Sequence, residues 1–206
     1  MKEKFKILLF TIVKPFVKWM GKVKDPYSMK NAIKTYYDWC EKIEPLDIIL
    51  CNTAGHLSNI FNPGKWKHVV VFIGWDNNIP MIVEATGAGV IKRPLIECIA
   101  EKDEVCILRY NKQNNEIYDL NKGIEFAKSQ VGKEYDYLFD NTSNKKFENF
   151  YCSELGWYSL KESYPNLNFE MRKTFGVNTV TPDDFYKSSQ IEKPKMNIIY
   201  EYKYSF

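Results

Sequence analysis

The sequence predicts a single domain of mixed helix and strand, and three observations carry that reading. A β-branched apolar run at 68–73 turns at 74–78 and returns over 79–85, the pattern of a hairpin. Apolar residues at three- and four-residue spacing mark helices near 28–40 and 116–131, and a third helix begins at Cys152. No linker divides the 206 residues, a length that suits one packed core.

The N-terminal 24 residues stand apart. Lys2, Lys4 and Lys6 precede the apolar run 7–13, but Lys14 and Pro15 follow at once and no small-x-small cleavage site appears. The run is also far short of the roughly 20 apolar residues of a membrane span. Lys4, Thr11, Lys14, Lys18 and Lys22 share one side of a helical wheel, with Phe10, Val13, Val17 and Met20 on others. This basic amphipathic segment suits either a membrane surface or docking on the domain that fills 25–206. A cytoplasmic or membrane-surface location is expected.

Within the domain, Ser28 caps a helix on which Met29, Ala32, Ile33, Tyr36, Tyr37 and Cys40 repeat. Pro45 closes that element, and 46–51 reads as a short buried strand. Residues 52–64, rich in Asn, Gly and Ser, form a loop carrying His56, read as an exposed loop residue. After the hairpin come a turn at 86–89, a strand at 90–93, a short helix at 94–99 and a strand at 105–110. The helix at 116–131 sets Ile117, Leu120, Ile124, Ala127 and Val131 on one face, with Gly132 as its stop. Thr181-Pro182-Asp183-Asp184 opens a helix with a cap, a proline and early acids, and 196–204 is a final strand at a sheet edge.

Composition excludes several functions. A net charge of +3, without a compact Lys/Arg block, argues against nucleic acid as a partner. The five cysteines form no C-x-x-C pair and no zinc spacing with His56 or His68, so no metal or cofactor is expected. Cys40, Cys51, Cys98 and Cys106 lie in apolar contexts and read as buried thiols, a pattern suited to a reducing compartment.

Cys152 differs from these four. It stands where an aromatic-rich loop meets a helix N-terminus, whose partial positive charge and unpaired N–H groups favour a thiolate. A nucleophilic thiolate needs a base, and His68 at the head of the hairpin is the partner. With the turn centred on Asp76, His68 falls opposite Glu84, whose carboxylate can then hold the far nitrogen of the ring. Taken singly, Cys152 reads as a structural thiol, His68 as a core histidine and Glu84 as half of a surface pair. Glu154 suits the first turn of its helix through the dipole.

Lys-His-Val-Val-Val at 67–71, Val83-Glu84-Ala85, Gly132-Lys133-Glu134-Tyr135-Asp136 and Tyr151-Cys152-Ser153-Glu154-Leu155 together resemble the circularly permuted, NlpC-related papain-like hydrolases, with the YiiX/YebB-like branch nearest. The similarity runs from about Leu46 to Trp157, and the histidine precedes the cysteine as that permutation requires. Gly156 departs from the branched apolar residue usual in relatives. The nucleophile motif of the lecithin–retinol acyltransferase group is absent.

The resemblance implies an α+β fold in which an antiparallel sheet packs against the helix carrying the nucleophile. It implies Cys152 as nucleophile, His68 as base and Glu84 as orienter, in a cysteine peptidase or amidase that forms a thioacyl-enzyme intermediate. The substrate it suggests is a small peptide or amide, of cell-wall type by analogy. Tyr135, Tyr137 and Tyr151 are candidates for substrate or oxyanion contacts. Two other readings remain open: a lipid-directed acyl hydrolase or acyltransferase using the same residues, and a binding module that keeps the cleft without turnover.

Overall fold

The computed structural model describes residues 32–53, 64–100, 102–112, 116–137, 139, 147–167, 169, 171–174, 177–193 and 195–203. The amphipathic segment at 1–24, the cap at Ser28 and His56 lie outside the described residues.

A six-stranded antiparallel sheet organises the chain, in the order β10-β5-β1-β2-β3-β4. Its strands are β1 (Ile48–Asn52), β2 (His68–Asp76), β3 (Ile79–Thr86), β4 (Gly89–Pro94), β5 (Glu104–Tyr110) and β10 (Met196–Lys203), and β10 lies at an edge as its sequence predicts. Both faces are covered, which explains the unbroken apolar run of β2. One face carries Leu50, Val69, Val71, Val83 and Ala85 against α3 (Leu120–Ser129), α4 (Cys152–Ser163) and α5 (Pro182–Lys187). The other carries Ile49, Cys51, Val70, Phe72 and Ile82 against α1 (Ala32–Cys40) and α2 (Leu95–Ile99). Two short ladders complete the fold: β6 (Glu134–Tyr135) pairs parallel with β7 (Asn149–Phe150), and β8 (Arg172–Thr174) pairs with β9 (Val177–Thr179). Among the described residues, no helix is long and apolar enough to cross a membrane.

Several expectations change in detail. The helix expected from 116 starts at Leu120, because the Asp119 side chain accepts from the Asn121 N–H and caps it there. Ile117 and Val131 therefore fall outside it and are exposed, while Ile124 and Ala127 are buried. On α1 the residue driven into the core is Trp39 rather than Tyr37, which is exposed. Cys51, Cys98 and Cys106 are buried free thiols, whereas Cys40 is only half-buried.

The hairpin register also differs from a turn centred on Asp76. Asn77 and Asn78 both take positive φ, 49° and 64°, and form the two-residue turn between Asp76 and Ile79. Between Phe72 and Gly74 the register then slips by one residue, a bulge beside a glycine at φ 101°. Beyond it Val71 pairs with Val83, so continuing the ladder sets Glu84 beside Val70 and Thr86 beside His68. His68 and Glu84 are thus diagonal neighbours rather than directly opposed. The bulge still matters, because a ladder without it would turn Glu84 to the sheet face that His68 does not share.

Glycines set how closely α4 can approach its neighbours. A Cβ on Gly123 would lie 2.1 Å from the Ser159 carbonyl oxygen and 2.3 Å from Ser163 Oγ. The Gly123 N–H donates to that hydroxyl at 3.0 Å. Gly123→Ala is expected to destabilise the protein by roughly 2–4 kcal/mol despite alanine's better helix propensity, since a backbone oxygen cannot step aside. Thermal unfolding measures this, and an unchanged midpoint would refute the close approach.

Candidate active site

Three elements converge on one sulfur. Helix α4 begins at Cys152, with Tyr151 before it in extended geometry, φ −94° and ψ 164°. The Tyr151 N–H donates to Glu154 Oε2 at 3.4 Å, so Glu154 closes the helix start and serves structure. One turn on, Gly156 lies flat against β2, where an added Cβ would meet Val69 Cγ1 at 2.8 Å. The departure at Gly156 is therefore a packing requirement. It lets the helix settle on the strand that starts with His68.

The β2–β3 ladder reaches from Asp76–Ile79 to Val71–Val83. Past that point the Val69 N–H is directed at the Cys152 sulfur. The Ser153 hydroxyl lies 3.8 Å from the same sulfur. His68 Nε2 meets Glu84 Oε2 at 2.6 Å, which leaves Nδ1 for the sulfur. Glu84 is 1% exposed, and its second oxygen accepts from Arg93 Nε on β4. The structure thus brings together Cys152, His68 and Glu84, the set the sequence suggested, and adds Arg93.

The electrostatics follow from burial and these contacts. Burial alone pushes the Cys152 thiol up, but the hydrogen bond and charge of His68 outweigh it, helped by the Val69 N–H and the Ser153 hydroxyl. The net shift is downward, toward the thiolate. Burial would lower the His68 pKa, yet contact with the Cys152 sulfur, followed by Glu84, raises it to about 10. Desolvation opposes charge on Glu84 as well; the His68 bond and charge, then Arg93 and Lys102, bring it down to about 2. Imidazolium and carboxylate are therefore the resting charges of His68 and Glu84 at neutral pH, and Cys152 ionises below the ordinary thiol range.

The tyrosines separate by their hydroxyls. Tyr137 donates to the Gly87 carbonyl at 2.7 Å, and the Tyr151 oxygen accepts the Val180 N–H at 3.2 Å. The Tyr135 hydroxyl has no hydrogen-bond partner among the described residues. Burial, followed by the charge of Cys152, holds its pKa well above the usual tyrosine value, so it stays a donor. Its ring lies 5.0 Å from that of Tyr137 and 6.3 Å from that of Phe139, between centroids.

Over residues 42–203 the chain matches the model of the permuted papain-like amidase enzymes, the YaeF/YiiX or C92 family. The chain belongs to this family. Its membership makes the protein an enzyme of cysteine-peptidase type directed at amide bonds, on a permuted papain-like fold. A similar solved structure is that of metalloprotein yiiX from Escherichia coli O157:H7, 18% identical, with a TM-score of 0.61 over 79% of this chain and 99% of that one. At that identity the likeness is one of fold. No curated protein matches the chain. Within the amidase frame, sequence reasoning missed Arg93 and the Val69 N–H. Arg93 becomes identifiable only through the β3–β4 register, which sets it one diagonal step from Glu84.

Proposed function

We propose that this amidase cleaves its substrate with Cys152 as nucleophile, His68 as acid and base, and Glu84 as orienter, by way of a thioester. The observation that supports it most directly is the charge-coupled Cys152–His68 pair backed by the 2.6 Å bond to a buried carboxylate. The thiolate attacks the amide carbonyl carbon, and the carbonyl electron pair moves to oxygen. The His68 imidazolium gives its Nδ1 proton to the departing amine as the C–N bond breaks. Neutral His68 then takes a proton from water, whose oxygen displaces the sulfur and releases the acid. A small peptide or amide is the substrate class, cell-wall-type peptides among them.

Developing negative charge on the carbonyl oxygen meets the N–H groups in the first turn of α4, which have no intrahelical partner. Tyr135 supplies a second donor, since its hydroxyl is uncommitted and its charge state is fixed. Tyr135→Phe is expected to lower kcat by about 10²–10³-fold with little change in KM, the range for an oxyanion donor. A rate equal to the parent's would remove it from this role.

The yiiX protein is described as a metalloprotein. Among the described residues here, no group of three or more His, Cys, Asp or Glu side chains is placed to hold a metal ion. Glu84 and His68 already commit their polar atoms to each other, to Arg93 and to the sulfur, so this donor set does not fit a metal.

Iodoacetamide labelling tests the nucleophile. At pH 6–7 Cys152 is expected to react ahead of the other four cysteines, and His68→Ala to slow it by at least about tenfold as thiolate is lost. Equal labelling with and without His68 would sink the proposal.

A further inference from the structure

We propose that Arg93 is a positioning residue for the amidase reaction, clamping Glu84 so that this carboxylate can hold His68 toward the sulfur. The inference rests on the Cys152–His68–Glu84 reading and extends it by one residue. In the β3–β4 ladder Glu84 pairs with Ile91 and Ile82 with Arg93, which sets Arg93 one diagonal step from Glu84 on the same face. Its Nε donates to Glu84 Oε1, while Oε2 accepts from His68 Nε2. Each carboxylate oxygen is thus committed to a different strand. The plane of the carboxylate is fixed by β4 and β2 together.

The charge matters as much as the aim. A carboxylate this deeply buried, left to itself, is driven toward its neutral form. A protonated Glu84 would no longer accept from the ring, and the imidazole would lose its fixed direction. Arg93 and, more weakly, Lys102 oppose that. The other groups facing Glu84 are His68 from β2 and Cys98 from α2, which itself hydrogen-bonds Cys51 of β1. Arg93 side-chain exposure is 17%, so its own charge is poorly compensated by water and directs it to the carboxylate. Its Nε bond to Glu84 is the route by which it reaches the ring.

Arg93→Gln is expected to lower kcat about 10–100-fold at nearly constant KM, the scale for groups that orient a functional histidine. The acid limb of Cys152 alkylation should move up in pH, because Glu84 then protonates earlier. Arg93→Lys, which keeps a charge, should recover part of both effects. A folded Arg93→Gln protein with the parent's kcat and acid limb would overturn the inference.

Should that variant not fold, the comparison of Glu84→Gln with Glu84→Gln/Arg93→Met reads the same coupling. No further loss of alkylation rate supports a role through Glu84, and a further loss overturns it. His68→Ala separates the two levels. Unchanged labelling of Cys152 there sinks the parent reading, whereas slowed labelling beside a normal Arg93→Gln sinks only the clamp.

Discussion

Cys152→Ala is expected to reduce hydrolysis of a fluorogenic peptide amide by about 10⁴-fold or more, the scale on which nucleophile removal acts in hydrolases of this logic. Cys152 is buried, and alanine removes only the contacts its sulfur makes with His68, the Val69 N–H and the Ser153 hydroxyl, so the alanine variant should keep the fold. A thermal midpoint near the parent's, with activity gone, is the expected pair of results. Cys152→Ser is the sharper variant. With its pKa raised to about 10, His68 is already an imidazolium at neutral pH and holds no lone pair for a serine hydroxyl. The raised value owes most to the hydrogen bond with the sulfur and then to its charge, however, and without a thiolate it should fall. Serine then gains a base but remains a weak nucleophile beside it, and should sit near the alanine variant. Amide turnover by either variant within tenfold of the parent would place the chemistry elsewhere.

Much of this site is legible in the sequence because it is built on regular elements. The helix beginning at Cys152, the strand beginning at His68 and the edge strand near the C-terminus follow from periodicity and caps. The pairing of His68 with Glu84 was reached by a register wrong by two residues. A slip of two preserves the face, so the contact survived where a slip of one would have destroyed it. The turn at Asn77–Asn78 shifts the pairing by three residues and the bulge adjoining Gly74 takes one back; a glycine inside a β-branched run is the available signal for such a bulge. What periodicity could not supply is anything set by long-range approach. Trp39 enters the core because α2 lies beside α1, and Gly156 is required because Val69 lies beneath it. The choice among Tyr135, Tyr137 and Tyr151 likewise depended on carbonyl and amide partners far along the chain, Gly87 and Val180.

Glu84→Gln is expected to narrow the pH window of activity from its alkaline side and to weaken the fold. In the proposed reaction the competent form is the thiolate–imidazolium pair, so activity is expected to rise as Cys152 ionises, below the ordinary thiol range, and to fall as His68 loses its proton near pH 10. Replacing the carboxylate by an amide removes the negative charge that helps raise His68, and leaves the Arg93 charge without it. Both changes act in the same direction, so the alkaline limb moves down toward the ordinary imidazole value of about 6.5.

Stability changes for a separate reason. Glu84, held at about 2, contributes fully above the ordinary carboxylate range, and that contribution is lost as pH falls through about 2. His68, raised, contributes fully below about pH 6.5 and loses its contribution as pH climbs through about 10. Glu84→Gln removes the first and shrinks the second, and it takes from Arg93 the buried carboxylate to which its Nε donates. Breaking such a buried pair from one side costs about 3–5 kcal/mol. For a chain of this length that corresponds to a fall in Tm of roughly 6–20 °C. Calorimetry at pH 7, with a kcat profile between pH 5 and 10, checks both halves. A variant with the parent's alkaline limb and midpoint would mean that the carboxylate neither holds the ring nor anchors the arginine, and the site would then reduce to a cysteine and a histidine in chance contact.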